Sequence, residues 1–131
     1  MVIAMIAVLA AALLPVLQST TERSDANQCR VNLTRIGAAL RMYRADSGDW
    51  PLQLRALYDT GLITDRRELI CVGTGEPYYY FRPGAQTPDA RVVVSCCPPN
   101  TPEGERPHDR GRSFLALKKS GDVVEMRGPV P

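Results

Sequence analysis

The stretch from Thr20 to Ala45, T-T-E-R-S-D-A-N-Q-C-R-V-N-L-T-R-I-G-A-A-L-R-M-Y-R-A, decides how the rest of this chain is to be read. It contains no proline and one glycine, Gly37. Apolar residues stand at Ala26, Cys29, Leu33, Ile36, Leu40 and Tyr43, in steps of 3, 4, 3, 4 and 3. That spacing lines one face of an α-helix. Arg30, Asn32, Arg35, Arg41 and Arg44 fall on the other side. The turn residues Asp46-Ser47-Gly48-Asp49 close the pattern. The expectation is a helix over 22–46 whose core-facing stripe is Cys29, Leu33, Ile36, Leu40 and Tyr43.

Upstream the pattern changes character without a break. Met1 to Leu17 carries no charge, and the first charged residue is Glu22. A bilayer core takes about 20 helical residues, so residues 1–21 just reach across. A secretory signal peptide would need a basic start and a small-residue cleavage site, and neither is written here. A buried core helix that is apolar all round would need more partner surface than the remaining chain of about 110 residues offers. A membrane or filament-core helix fits best. Pro15 should kink this helix and not end it, because the pattern continues on both sides. One helix of roughly 45 residues and about 65 Å is therefore expected, apolar in its first half and amphipathic in its second.

The stretch Cys29-Arg30-Val31-Asn32-Leu33-Thr34-Arg35-Ile36-Gly37 resembles the helix motif Cys-x-x-Asn-Leu-x-x-Ile-Gly of one bacterial branch of the type IV pilin-like proteins, which include prepilins and the pseudopilins of type II secretion. Val2–Leu17 with Pro15 is similar to the later part of that family's hydrophobic helix, and Asp46–Pro51 to the loop that follows it. The resemblance covers Met1–Pro51. Aligned this way, Met1 falls some half-dozen residues inside the mature helix, past the family's basic leader, its cleavage site and its Phe-Thr-Leu-Ile-Glu-like start. The resemblance implies a structural subunit of a pilus-like or secretion pseudopilus filament. It implies an inner-membrane anchor before assembly, a head facing the periplasm, and a filament in the periplasm or at the cell surface. The implied partners are other pilin-like subunits, met through the N-terminal helix, and the pilus or secretion assembly machinery.

The remainder, 22–131, reads as a small α+β head. A short helix is expected over 51–60, with Asp49 as its cap, Pro51 in its first turn, Gly61 past its end, and Leu54, Leu57 and Tyr58 on one face. Strands are expected over 77–82, 91–95, 113–117 and 121–126, the last two flanking the turn Lys118-Lys119-Ser120-Gly121. Two helices followed by four strands suggest an antiparallel sheet with the long helix laid on one face. A stiff, exposed, proline-rich loop over 97–108 would join the hairpins.

Composition excludes several functions. The chain carries 16 Lys+Arg against 14 Asp+Glu, and from Gly48 onward the two signs balance, so no basic face marks a nucleic-acid binder. Cys29, Cys71, Cys96 and Cys97 form no Cys-x-x-Cys pair, and His108, the only histidine, sits in the proline-rich loop with nothing to place it near a thiol. No metal, no cofactor and no catalytic residue are expected, and the chain does not read as an enzyme. Export to an oxidising compartment would pair the thiols. Of the three full connectivities, the one with a vicinal Cys96–Cys97 bridge is strained, although Cys29–Cys71 alone stays possible. A hairpin centred near Gln86 would set Cys96 opposite Glu76 and favour Cys71 bonding Cys96 or Cys97, with Cys29 a free thiol in the core. A rival reading is a signal-anchored extracytoplasmic binding module that uses the Tyr78–Tyr80 strand or the proline-rich loop.

Overall fold

The computed structural model describes the backbone of residues 2–97, 101, 105–108 and 113–127, and the side chains from Ser24 onward. The architecture is α+β, one long helix against a four-stranded antiparallel sheet. Helix α1 spans Val2–Ser47, 46 residues, and runs through Pro15 without ending. Among the described residues no helix is long and apolar enough to cross a membrane. The side chains of residues 1–21, the segment expected in that role, lie outside those described.

From Cys29 onward α1 turns an apolar face to the head. Cys29, Leu33, Ile36 and Leu40 are buried, and Tyr43 is half-buried against the same core. The buried face is wider than the stripe of single residues. Asn32 and Ala39 lie under it too, so Asn32 does not share the solvent side with Arg30, Arg35, Arg41 and Arg44. A helix that packs against a sheet and against other helices buries flanking positions as well as the central row. Asn32 accepts a 2.9 Å hydrogen bond from Gln28 Nε2, one turn earlier. The helix stops at Ser47, where Gly48 N–H returns to Arg44 O at 2.8 Å.

Helix α2 is shorter than expected, Arg55–Asp59. Tertiary bonds claim the residues ahead of it: Pro51 O accepts from the Tyr80 hydroxyl and Trp50 O from Arg82 Nε. Asp49 holds Arg82 at 2.9 Å instead of capping α2. Leu54 and Leu57 are buried, but Tyr58 is exposed with the Arg66 guanidinium over its ring. A single 3₁₀ turn, Arg66–Leu69, has no counterpart in the sequence reading. Asp65 caps it by accepting from Arg67 N, and its Glu68 pairs with Arg35 of α1.

The strands are β1 (Tyr79–Tyr80), β2 (Val92–Ser95), β3 (Phe114–Lys118) and β4 (Val123–Met126), in sheet order β1-β2-β3-β4. Strand β1 is much shorter than the expected 77–82, because Pro77 leaves the sheet to bridge Ile70. Tyr79 faces Ser95 and Tyr80 faces Val94. One step further, Tyr78 and not Glu76 stands across from Cys96, a two-residue correction to the expected register. Strands β2 and β3 are buried on both faces. Leu115 and Leu117 lie toward α1, while Phe114 points to the other side, where the Arg106 guanidinium covers its ring. Gly37 permits the close approach of α1 to β3: a Cβ there would stand 3.1 Å from Leu117 Cδ1.

Candidate metal centre

Four separate pieces of chain converge at the end of the sheet next to the start of α1's buried face. Cys29 supplies the first sulfur from that face. Cys71 comes from a tight turn in which its N–H donates to Glu76 O and its carbonyl accepts from Gly75 N, both at 2.8 Å. The Ile70–Pro77 bridge and the bond from Tyr78 N to Leu69 O close the base of this turn. Cys96 follows β2, its N–H on Leu115 O at 3.1 Å, so it shares the helix-facing side of the sheet with Leu115. His108 exchanges two 3.0 Å backbone bonds with Ser113 just before β3.

The ligand atoms of Cys29, Cys71, Cys96 and His108 all lie within 4.8 Å of one another, and all four residues are buried. Cys29 Sγ is 3.5 Å from Cys71 Sγ, and Cys96 Sγ is 3.9 Å from His108 Nε2. Gly73 makes the last approach possible. A Cβ on it would meet Pro107 Cβ at 3.0 Å, Pro107 O at 3.1 Å and His108 Cε1 at 3.2 Å. The buried Tyr78 hydroxyl has no hydrogen-bond partner and sits beside Cys29.

The electrostatics follow from packing three thiols and an imidazole into one dry space. Hydrogen bonds from Cys71 and Cys96 hold the Cys29 thiol far below its ordinary value. Cys96 is pushed up, chiefly because it serves as donor to Cys29 and Cys71 and also because it is buried. Burial works against a charge on His108, but the Cys29 and Cys71 sulfurs outweigh it and raise the imidazole to about 9. Burial, reinforced by the Cys29 sulfur, pushes the Tyr78 phenol up as well.

These positions correct the sequence reading at two points. His108 is buried, not carried on an exposed loop, and it does face thiols. The adjacent pair Cys96–Cys97 splits: strand alternation turns Cys96 to the helix side, and Cys97 is buried apart from the cluster, its thiol pushed up by that burial. All four cysteines are free thiols. The one local signal is Cys71-Val72-Gly73-Thr74-Gly75, a cysteine opening a glycine-rich turn. No short ligand pair accompanies it, since 42 residues separate Cys29 from Cys71 and 12 separate Cys96 from His108.

The tyrosine run does not form a stacking platform. Tyr78 is interior, Tyr79 is exposed, and Tyr80 gives its hydroxyl to Pro51 O at 2.8 Å. Of the proline-rich loop, Pro98–Asn100 and Pro102–Gly104 lie outside the described residues. No family model, no curated protein and no solved structure matches this chain.

Proposed function

We propose that this chain is a structural, non-catalytic subunit of a pilin-like filament, held in the inner membrane by its N-terminal segment before assembly and facing the periplasm with its head. The observation that carries the reading is the mismatch between helix and head. Helix α1 has 46 residues, and among its described side chains, from Ser24 onward, the deeply buried face begins at Cys29. About 27 residues, on the order of 40 Å of helix at ~1.5 Å per residue, precede that face. Their sequence, uncharged from Met1 to Thr21, suits lipid first and neighbouring helices afterwards. A small head clamped on the second half of such a helix leaves the first half to pack with other subunits. Pilus-like and secretion filaments share this plan.

The test is fractionation of cells that produce the full chain, followed by pelleting of sheared filaments. The wild-type chain is expected in the inner membrane and in the filament pellet. Val8→Asp should leave both, because a charge at mid-span costs about 2.5–3.5 kcal/mol on insertion scales. A Val8→Asp chain that still pellets with membranes and filaments refutes the reading.

A further inference from the structure

We propose that Cys29, Cys71, Cys96 and His108 bind one Zn²⁺ ion in a closed tetrahedral site that fastens the long helix to the head. Zinc–sulfur bonds of about 2.3 Å and zinc–nitrogen bonds of about 2.0–2.1 Å put the edges of the ligand tetrahedron near ~3.6–3.8 Å. The 3.5 Å Cys29–Cys71 and 3.9 Å Cys96–His108 separations bracket that range, and the whole set fits within 4.8 Å. Three thiolates and an imidazole in a tetrahedral array form one of the ligand sets of structural zinc, whereas oxygen-seeking Mg²⁺ and Ca²⁺ have no carboxylate or carbonyl ligand in this set. All four positions come from protein, and each ligand is buried. The site is closed, which is the mark of a structural ion and not a catalytic one.

The surroundings also suit an ion. Three thiolates around Zn²⁺ leave one net negative charge, and the partnerless Tyr78 hydroxyl beside Cys29 can donate to it. Gly73 removes the one side chain that would hold His108 off. A disulfide explains less. It would join two sulfurs at about 2.03–2.05 Å and leave the third thiol and the imidazole buried around nothing. Binding moves no electrons. Three thiols and a neutral imidazole take up Zn²⁺ and release three protons, and the count is unchanged if the empty site holds a thiolate–imidazolium pair. The ion ties together α1, the turn at Cys71, the end of β2 and the segment before β3.

The experiment uses the full chain, purified under reducing conditions and assayed for metal, then stripped and titrated with Co²⁺ and Zn²⁺. The expected result is one zinc per chain. Co²⁺ should give the intense near-ultraviolet thiolate band and the strong visible bands of a tetrahedral site, bleached by equimolar Zn²⁺. Cys97→Ser should keep the full signal, while Cys29→Ser, Cys71→Ser, Cys96→Ser and His108→Ala should lose it. His108→Cys retains four donors, so it should hold one Co²⁺ with visible bands at longer wavelength, which separates lost ligation from lost folding. Tyr78→Phe and Gly73→Ala touch no metal and should weaken Zn²⁺ binding roughly 10–100-fold. The proposal is overturned if the chain binds no metal, if Co²⁺ binds octahedrally, or if Cys97→Ser abolishes the signal. It is equally overturned if chain isolated from cells without reductant carries a Cys29–Cys71 or Cys71–Cys96 disulfide and no zinc.

Discussion

Gly37 to Ala is the substitution in which two well-known effects oppose each other most directly. In an open helix the change stabilises by about 1 kcal/mol, since glycine is the poorer helix former by that amount. Here the new Cβ would stand 3.1 Å from Leu117 Cδ1 and 3.5 Å from Cδ2. Carbon atoms settle at about 3.5–4.0 Å, so roughly half an ångström must be found. Leu117 is 1% exposed and faces Val94 across the sheet, which leaves its methyl groups little room to retreat. Overpacking of this kind costs about 1–3 kcal/mol. The contact wins, and Gly37→Ala should destabilise by about 1 kcal/mol net. Gly37→Val adds bulk in the same place with a smaller helix gain and should cost about 2–4 kcal/mol. Leu117→Ala alone should cost about 2–5 kcal/mol, but at least ~1 kcal/mol less when Gly37 is already Val, because truncation then relieves the clash. Urea unfolding of the full chain measures all four, followed by the fluorescence of Trp50. That residue is the chain's sole tryptophan, buried, with the Arg44 guanidinium 5.1 Å from its ring centre. Zinc and reductant are held constant throughout. If Gly37→Ala instead stabilises by about 1 kcal/mol and Val is no worse, α1 does not rest on β3 as described.

Leu33 is fully buried in the middle of the helix stripe, so Leu33→Ala should cost about 2–5 kcal/mol, and a loss under ~1 kcal/mol in the same assay would remove it from the core. Burial raises the Tyr80 phenol to about 12, while its hydroxyl donates to Pro51 O. The unfolded chain ionises Tyr80 near its ordinary value of about 10, so above that pH the unfolded state binds fewer protons and stability falls until the folded value is passed. The Tyr80→Phe chain should therefore lose less stability than wild type between pH 10 and 12, and parallel profiles for the two would show that Tyr80 does not carry this pH dependence.

The long helix was legible in the sequence because its information is local. Steps of three and four from Ala26 to Tyr43 need nothing beyond helical geometry to place Cys29, Leu33, Ile36 and Leu40 on one buried face. The hairpin turn at Lys118–Gly121 and the β-branched and aromatic runs located the strands for the same reason, though Pro77's bridge to Ile70 and the bonds at Trp50 and Pro51 trimmed β1 and α2. The four-residue cluster was not legible, since its members lie far apart in the chain and no short repeat of ligands announces them. The register of β1 on β2 and the side of the sheet covered by α1 determine that Cys96, and not Cys97, meets Cys29. A one-residue shift in a strand exchanges its two faces, so that choice belongs to the packed sheet and helix together. Gly73 and His108 add the same lesson at closer range. Whether a glycine is idle or indispensable depends on what stands beside it, and Pro107–His108 comes to stand there only when the chain has folded.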